Sequence, residues 1–296
     1  MKPLVIYHAN CADGFGAAYA AWTHFGPSAE YLPCQYGKQA AEFDVAQCAN
    51  RTVYVFDFSF PAEKMAEIRS EASIFVWLDH HKTAFEAQGV TNDKPFELED
   101  FNNYTLLHPE KSGALLAWEF FNPDSPVPVP VLLQLIDDYD RWVFKDERTK
   151  AVNKALWSRA PWSFDQWDLF LYNDPNCYNL YREGKALLRA HNQNVQAVLK
   201  GAKRPCTIIG TFDAKIVGLA CNCPSHLTSD VGHQLANESG SYGLCWYVNK
   251  DNLVICSLRS NGDYDVSAIA KEFGGGGHRN AAGFTTTIQS IMEWTK

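Results

Sequence analysis

Ser73-Ile74-Phe75-Val76-Trp77-Leu78, running into Asp79-His80-His81, is the stretch from which the fold of this chain can be read. The first six residues are rich in β-branched and aromatic side chains and short enough for a buried strand. Asp79, His80 and His81 cannot follow them into an apolar core unpaired, because burying such groups without partners costs several kcal/mol. They belong where the strand stops, at the carboxyl edge of a sheet. Open α/β proteins bind their ligands there.

Two other stretches end in the same way. Leu4-Val5-Ile6-Tyr7 runs into His8 and then Ala9-Asn10-Cys11-Ala12-Asp13-Gly14, and Val53-Tyr54-Val55-Phe56 runs into Asp57. Three strands that each deliver a His or Asp just past the last apolar residue imply one shared site on one sheet edge. Mixed imidazole and carboxylate ligands suit Mn²⁺, Zn²⁺ or Fe²⁺ better than Ca²⁺. Ala17-Ala18-Tyr19-Ala20-Ala21-Trp22 is a good helix former, so Asp13 lies at a helix N-terminus, as a ligand or as an N-cap. Tyr31–Cys34 reads as a second strand and Pro61–Ser70 as a helix with Pro in its first turn. This alternation predicts a parallel sheet with helical crossovers.

Together with Gly274-Gly275-Gly276-Gly277-His278-Arg279-Asn280-Ala281-Ala282-Gly283-Phe284, these residues resemble the DHH phosphoesterase superfamily, and within it the branch with a glycine-rich C-terminal DHHA1 domain. The resemblance runs over nearly the whole chain, in the family's order. It implies an α/β protein: a parallel-sheet DHH domain with helices on both faces over residues 1–184, a helical linker over 185–204, and a smaller α/β DHHA1 domain over 205–296. It also implies a two-metal Mn²⁺ centre. His8 and Asp57 would hold one ion; Asp13, a bridging Asp57, His80 and either Asp138 or Asp140 would hold the other. Asp79 would orient a neighbouring histidine, and His81 would contact the scissile phosphate or assist the leaving group. Arg259, in Ser257-Leu258-Arg259-Ser260, matches the family's substrate-phosphate arginine. Gly275, Gly276 and Gly277 would admit a phosphate to their N–H groups, with His278 at the exit of the loop. Cys11 stands where the family usually has an aspartate. A thiolate is a softer ligand than Mn²⁺ prefers, so Cys11 selects another divalent metal, leaves its site to load only with substrate, or is an inert thiol.

The implied reaction is hydrolysis of phosphodiester bonds in short oligonucleotides or dinucleotides, with the cleft between the two domains measuring substrate length. A single-strand exonuclease and a nucleotide-binding protein impaired by Cys11 are the rivals. The net charge of −8 over 296 residues argues against long duplex nucleic acid, whose affinity comes largely from phosphate neutralisation. It leaves room for a short oligonucleotide, a cyclic dinucleotide or a nucleoside phosphate in a local pocket. Nine cysteines, an odd count without a Cys-x-x-Cys pair, indicate reduced thiols in a cytoplasmic protein. Cys221-Asn222-Cys223 is either a small metal loop or plain loop. Met1-Lys2-Pro3 runs straight into the first strand, leaving no room for a signal peptide, and no apolar stretch reaches membrane-spanning length.

Further along, residues 83–103 read as acidic, polar loop, and Lys111–Trp118 opens a packed helix. Pro123–Pro130 is a proline-punctuated turn. Val131–Ile136 is a helix leading into Asp137-Asp138-Tyr139-Asp140. Glu183–Lys200 carries an apolar stripe on a polar helix. In the second domain, strands are expected at Cys206–Gly210, Lys215–Ala220, Tyr242–Val248 and Leu253–Arg259. Helices are expected at Ser225–Asn237 and at Val266–Phe273, the latter read as the last.

Overall fold

The three decisive runs form adjacent parallel strands in the structure, a computed structural model that describes residues 1–124, 126, 128–209 and 216–295. The chain divides into two units, Met1–Leu188 and Arg189–Lys296. In the first unit the order is β1 (Leu4–His8), α1 (Ala12–Phe25), β2 (Glu30–Cys34), α2 (Lys38–Ala41), β3 (Thr52–Phe56), α3 (Ala62–Glu71), β4 (Ile74–Asp79) and α4 (Lys82–Ala87). Then come β5 (Phe96–Asp100), β6 (Asn103–Leu107), α5 (Gly113–Phe121), α6 (Val131–Asp140), α7 (Thr149–Trp157), α8 (Phe164–Asn173) and α9 (Tyr178–Ala202), which contains the point of division.

The first sheet has the order β2-β1-β3-β4-β6-β5, parallel except for β5, which runs antiparallel to β6 at the edge. From β1 the chain goes to β2 on one side and returns to β3 on the other. The carboxyl ends of β1 and β3 are thus the switch point at which such sheets open a crevice. Register aligns Tyr7 with Phe56 and Phe56 with Leu78. His8, Asp57 and Asp79, each one residue further on, therefore come out side by side.

Side-chain alternation explains why both sheet faces are covered. Leu4, Ile6, Val53, Val55, Phe75 and Trp77 pack on one face with Met65 and Ile68 of α3 and Phe85 of α4. Val5, Tyr54, Phe56, Val76 and Leu78 pack on the other with the alanines of α1 and Leu116 and Ala117 of α5. Small residues on α1 let the helix lie close to the strands. A fully buried anchor such as Phe56 is worth about 3–5 kcal/mol against alanine.

Two expectations are corrected in this unit. Residues 83–103 are not loop throughout: α4 and the edge strand β5 fall there. β5 carries Glu97, Glu99 and Asp100 and is largely exposed, so its acidic sequence is that of a solvated edge, where charge discourages further strand pairing. Of the turn Pro123–Pro130, Ser125 and Val127 lie outside the described residues.

The second unit continues with β7 (Arg204–Cys206), β8 (Gly218–Asn222), α10 (Thr228–Ser239), β9 (Tyr242–Val248), β10 (Val254–Ser260), α11 (Val266–Glu272), β11 (Gly276–His278), β12 (Ala281–Thr286) and α12 (Ile288–Trp294). The sheet order is β11-β12-β10-β9-β8-β7, antiparallel except for the β8–β9 pair. One face packs on α11 and α12 through Leu244, Leu258, Phe284, Ile269, Ile291 and Trp294. The other packs on α10 through Cys221, Cys245, Val231 and Leu235. Lys215 and Gly210 of the expected strands lie outside the described residues. The helix at Val266 is not the last, because α12 follows it, capped by the Thr287 side chain accepting from the Ser290 N–H. The overall class is α/β, a helix-flanked parallel sheet followed by a smaller α/β unit.

Candidate metal centre

Asp57 lies at the centre of the strand-end cluster. It is buried, follows β3 directly, and holds a left-handed backbone angle, φ +53°, which aspartate tolerates better than most residues but which still costs energy. Its Oδ2 lies 3.4 Å from His8 Nδ1 and its Oδ1 lies 3.2 Å from His80 Nε2. Among the described residues, neither oxygen nor His8 Nδ1 makes a hydrogen bond. Orphaned buried acceptors of this kind call for an explanation, and an ion supplies one. Ligands about 2.1 Å from a metal sit about 3.0–3.5 Å from one another.

The potential ligand atoms form three groups, each within 4.8 Å of one another: His8, Cys11 and Asp57; Asp13, His80 and Asp140; and Asp57, His80 and His81. His80 Nε2 is 3.6 Å from Asp13 Oδ2 and 3.3 Å from Asp140 Oδ2. The donors are imidazole, carboxylate and one thiol, so the set fits one or two divalent transition ions, with Asp57 able to face both.

The acids are fixed by different parts of the fold. Asp13 stands in the first turn of α1 but serves another helix: its Oδ2 accepts from the Gly113 N–H at 2.7 Å and its Oδ1 from the Ala114 N–H at 2.8 Å, at the N-terminus of α5. That approach needs a glycine, since a Cβ on Gly113 would stand 2.5 Å from Asp57 Cβ. Sequence reasoning missed this support, because residues 100 positions apart leave no local pattern. Asp79 accepts from the His80 and His81 N–H groups at 2.7 and 3.1 Å, from Ser59 Oγ at 2.7 Å, and lies 2.7 Å from His81 Nδ1. Asp79 thus orients the His81 ring and holds the backbone of both histidines.

Of the two acids left open at the end of α6, Asp140 is in the cluster and Asp138 is not. Asp138 accepts from the Lys145 and Asp146 N–H groups at 2.8 and 3.1 Å and from the Thr149 hydroxyl. Its carboxylate is spent on folding the loop after α6.

Electrostatics in the metal-free protein follow from burial and crowding. Burial and then the Asp57 and Asp140 carboxylates push Asp13 well above the ordinary carboxylate range. Burial pushes Asp57 upward too, but the His8, His80 and His81 imidazoles outweigh it and hold Asp57 ionised. Burial opposes the charge on His80, yet Asp57, Asp140 and Asp13 raise its pKa well above the usual value. Burial and neighbouring carboxylates push the Cys11 thiol up. A divalent cation would reverse the balance for the acids and the thiol, since its own charge dominates the site.

The expected substrate residues lie in the second unit. Arg259 and His278 are both partnered in register by Ala281, so they share a sheet face across one strand, about 10 Å apart by strand spacing. Arg259 donates to Ser229 Oγ at 2.9 Å and to the Leu258 carbonyl at 2.8 Å. The glycine run is not an open loop. Gly276 and Gly277 belong to β11, and the Gly275 N–H donates to the Ala270 carbonyl at 2.8 Å, which removes it from the expected phosphate donors. Among the described residues, nothing stands near the Cβ position of Gly276, unlike those of Gly275 and Gly277.

Comparison with known proteins bears on this arrangement. Residues 229–296 match the DHHA1 domain family. Uncharacterized protein R106 of Acanthamoeba polyphaga mimivirus is 32% identical over 302 residues, covering 95% of this chain; the chain spans 66% of that relative's length. Among solved structures, a pGpG-specific phosphodiesterase, PggH from Vibrio cholerae, superposes with a TM-score of 0.53 at 10% identity, over 99% of this chain and 96% of that one. At that identity the likeness is one of fold.

Proposed function

We propose that this chain, whose residues 229–296 match the DHHA1 domain family, is a DHH-type phosphodiesterase that cleaves short oligonucleotides or dinucleotides with divalent metal ions. The carrying observation is Asp57, whose two buried oxygens lack hydrogen bonds among the described residues and face His8 on one side and His80 on the other. A buried carboxylate so placed would serve both groups of candidate ligands. His8, Cys11 and Asp57 would hold one ion, and Asp13, Asp57, His80 and Asp140 the other. When bound, the ions would supply charge neutralisation on the phosphoryl oxygens and an acidified water, Mn²⁺ being the first candidate.

The chain's own residues do the rest. Asp79 holds His81 by Nδ1, so Nε2 is the atom that would pass a proton to the leaving alkoxide. Burial works against a charged His81 and the Asp79 carboxylate outweighs it, raising its pKa. This suits a proton donor at neutral pH. Arg259 and His278 would bind a substrate phosphate, Arg259 through its bidentate fork. A linear dinucleotide of the pGpG kind, named for the structural neighbour, is the first substrate to try. A reducing compartment is the setting that nine cysteines, free among the described residues, would suit. No described helix is long and apolar enough to cross a membrane.

The test is hydrolysis of a 5′-labelled short RNA, a linear dinucleotide and a cyclic dinucleotide, with Mn²⁺ and with EDTA, alongside His80→Ala. Cleavage that needs the metal and is lost in the variant supports the reading. Binding without turnover under any divalent metal would leave a nucleotide-binding protein in its place.

A further inference from the structure

Tyr36 follows β2 at the carboxyl edge of the first sheet, beside the cluster. Its ring centroid lies 5.2 Å from that of His8 and 6.2 Å from that of His81, and it packs on Phe58 at 4.5 Å. Yet the residue is 45% exposed. A lone exposed aromatic needs no explanation as such; Tyr36 differs in being fixed beside His8, a candidate metal ligand, and His81, the candidate proton donor. The Ala9 N–H donates to the Cys34 carbonyl at 2.9 Å, and Gln39 joins the Gln35 N–H at 3.0 Å to the Pro33 carbonyl at 3.1 Å. Gly37 then turns the chain with φ +83° into α2. The turn is braced on both sides of Tyr36, and Phe58 backs its ring. The result is a half-exposed residue whose ring is held in place before any ligand arrives.

We infer that the Tyr36 ring is the stacking platform for the nucleobase attached to the scissile phosphate, and so selects nucleotide substrates over other phosphodiesters. The inference rests on the phosphodiesterase reading. A phosphodiester at His8 and His81 carries its nucleoside beside those imidazoles, where the ring offers a flat apolar surface. Stacking tolerates any base, because each has a π-face. Substrate choice here would therefore be for a base rather than for one particular base. Because the ring is prefixed, little side-chain freedom is lost on binding.

The experiment compares a dinucleotide with the same molecule abasic on the nucleoside joined to the scissile phosphate. The readout is the ratio of their kcat/KM values for wild type, Tyr36→Ala and Tyr36→Phe. In Tyr36→Ala the preference for the base-bearing substrate should fall about 5–150-fold, the span of one stacked base, mostly through KM. Tyr36→Phe, which restores the ring, should restore the ratio. Calorimetric binding of both molecules in EDTA gives the same ratio without turnover. If wild type cleaves neither substrate but Tyr36→Ala still loses its base preference in binding, the phosphodiesterase reading fails and the platform stands. An unchanged ratio in both assays, or a Tyr36→Phe variant as poor as Tyr36→Ala, overturns the platform.

Discussion

Replacing Gly113 by alanine tests whether the N-terminus of α5 supports the candidate metal centre. The new Cβ would meet Asp57 Cβ at 2.5 Å, Cγ at 3.0 Å and Cα at 3.1 Å. Carbon atoms pack comfortably at about 3.5–4.0 Å, so roughly 1 Å must be found by moving the helix end or the aspartate. Asp57 is a poor candidate to give way, pinned by its N–H to the Leu78 carbonyl at 2.9 Å. Moving the helix end lengthens the bonds from Gly113 and Ala114 to Asp13. Overpacking of this size costs about 1–3 kcal/mol, and alanine's better helix propensity returns at most about 1 kcal/mol. Taking about 2 kcal/mol as the central overpacking cost, the net loss of about 1–2 kcal/mol lowers the melting midpoint by roughly 2–8 °C for a unit of this length. Metal affinity should fall about 10–100-fold, as when other ligand supports are disturbed. Thermal denaturation and Mn²⁺ titration of the purified variant read the two effects. Gly201, with nothing near its Cβ position among the described residues, supplies the control: Gly201→Ala should leave both unchanged or gain a few tenths of a kcal/mol. A Gly113→Ala protein that melts and binds metal like wild type would refute the reasoning.

The two acids of α6 should separate cleanly. Asp140→Asn should abolish metal-dependent turnover while leaving the urea midpoint equal or higher, because burial already raises the Asp140 carboxyl pKa. Asp138→Asn should instead lose about 1.5–3 kcal/mol through the loop bonds it anchors, read by the same denaturation, with metal still bound. Cys11→Asp, which offers a harder ligand, should shift affinity toward Mn²⁺ and away from Zn²⁺ in competition titrations; equal selectivity would show that Cys11 is no ligand. In EDTA the Asp79–His81 pair gives a pH signature. The Asp79 carboxyl is raised by burial but lowered further by His81, so its stabilisation is present above about pH 3.9 and is lost as pH falls through the depressed value. The raised His81 contributes fully below about pH 6.5, and its share is lost as pH rises through the folded value. Asp79→Asn should flatten both limbs of stability against pH. A variant with both limbs intact would show that other groups produce them.

Much of this was legible in the chain. The runs at 4–7, 53–56 and 74–78 are apolar and β-branched, so they had to be buried strands, and the titratable residues that end them had to emerge at one edge. His8, Asp57, Asp79, His80 and His81 follow from that alone. What sequence could not determine was which surroundings each remaining group would meet. Asp138 and Asp140 are two positions apart on a helix that turns 100° per residue, so they point to nearly opposite sides. Only the packing of α6 decides that Asp140 meets His80 while Asp138 folds the following loop. Asp13 looks like a cap for its own helix and instead holds the start of α5. Tyr36 belongs to a turn without periodicity, and only the pairing of β2 with β1 brings it against His8. The chain encodes periodicity locally, and that fixes strands and their ends. The choice among polar groups at those ends belongs to contacts between residues distant in sequence, which only the assembled sheet and its helices create.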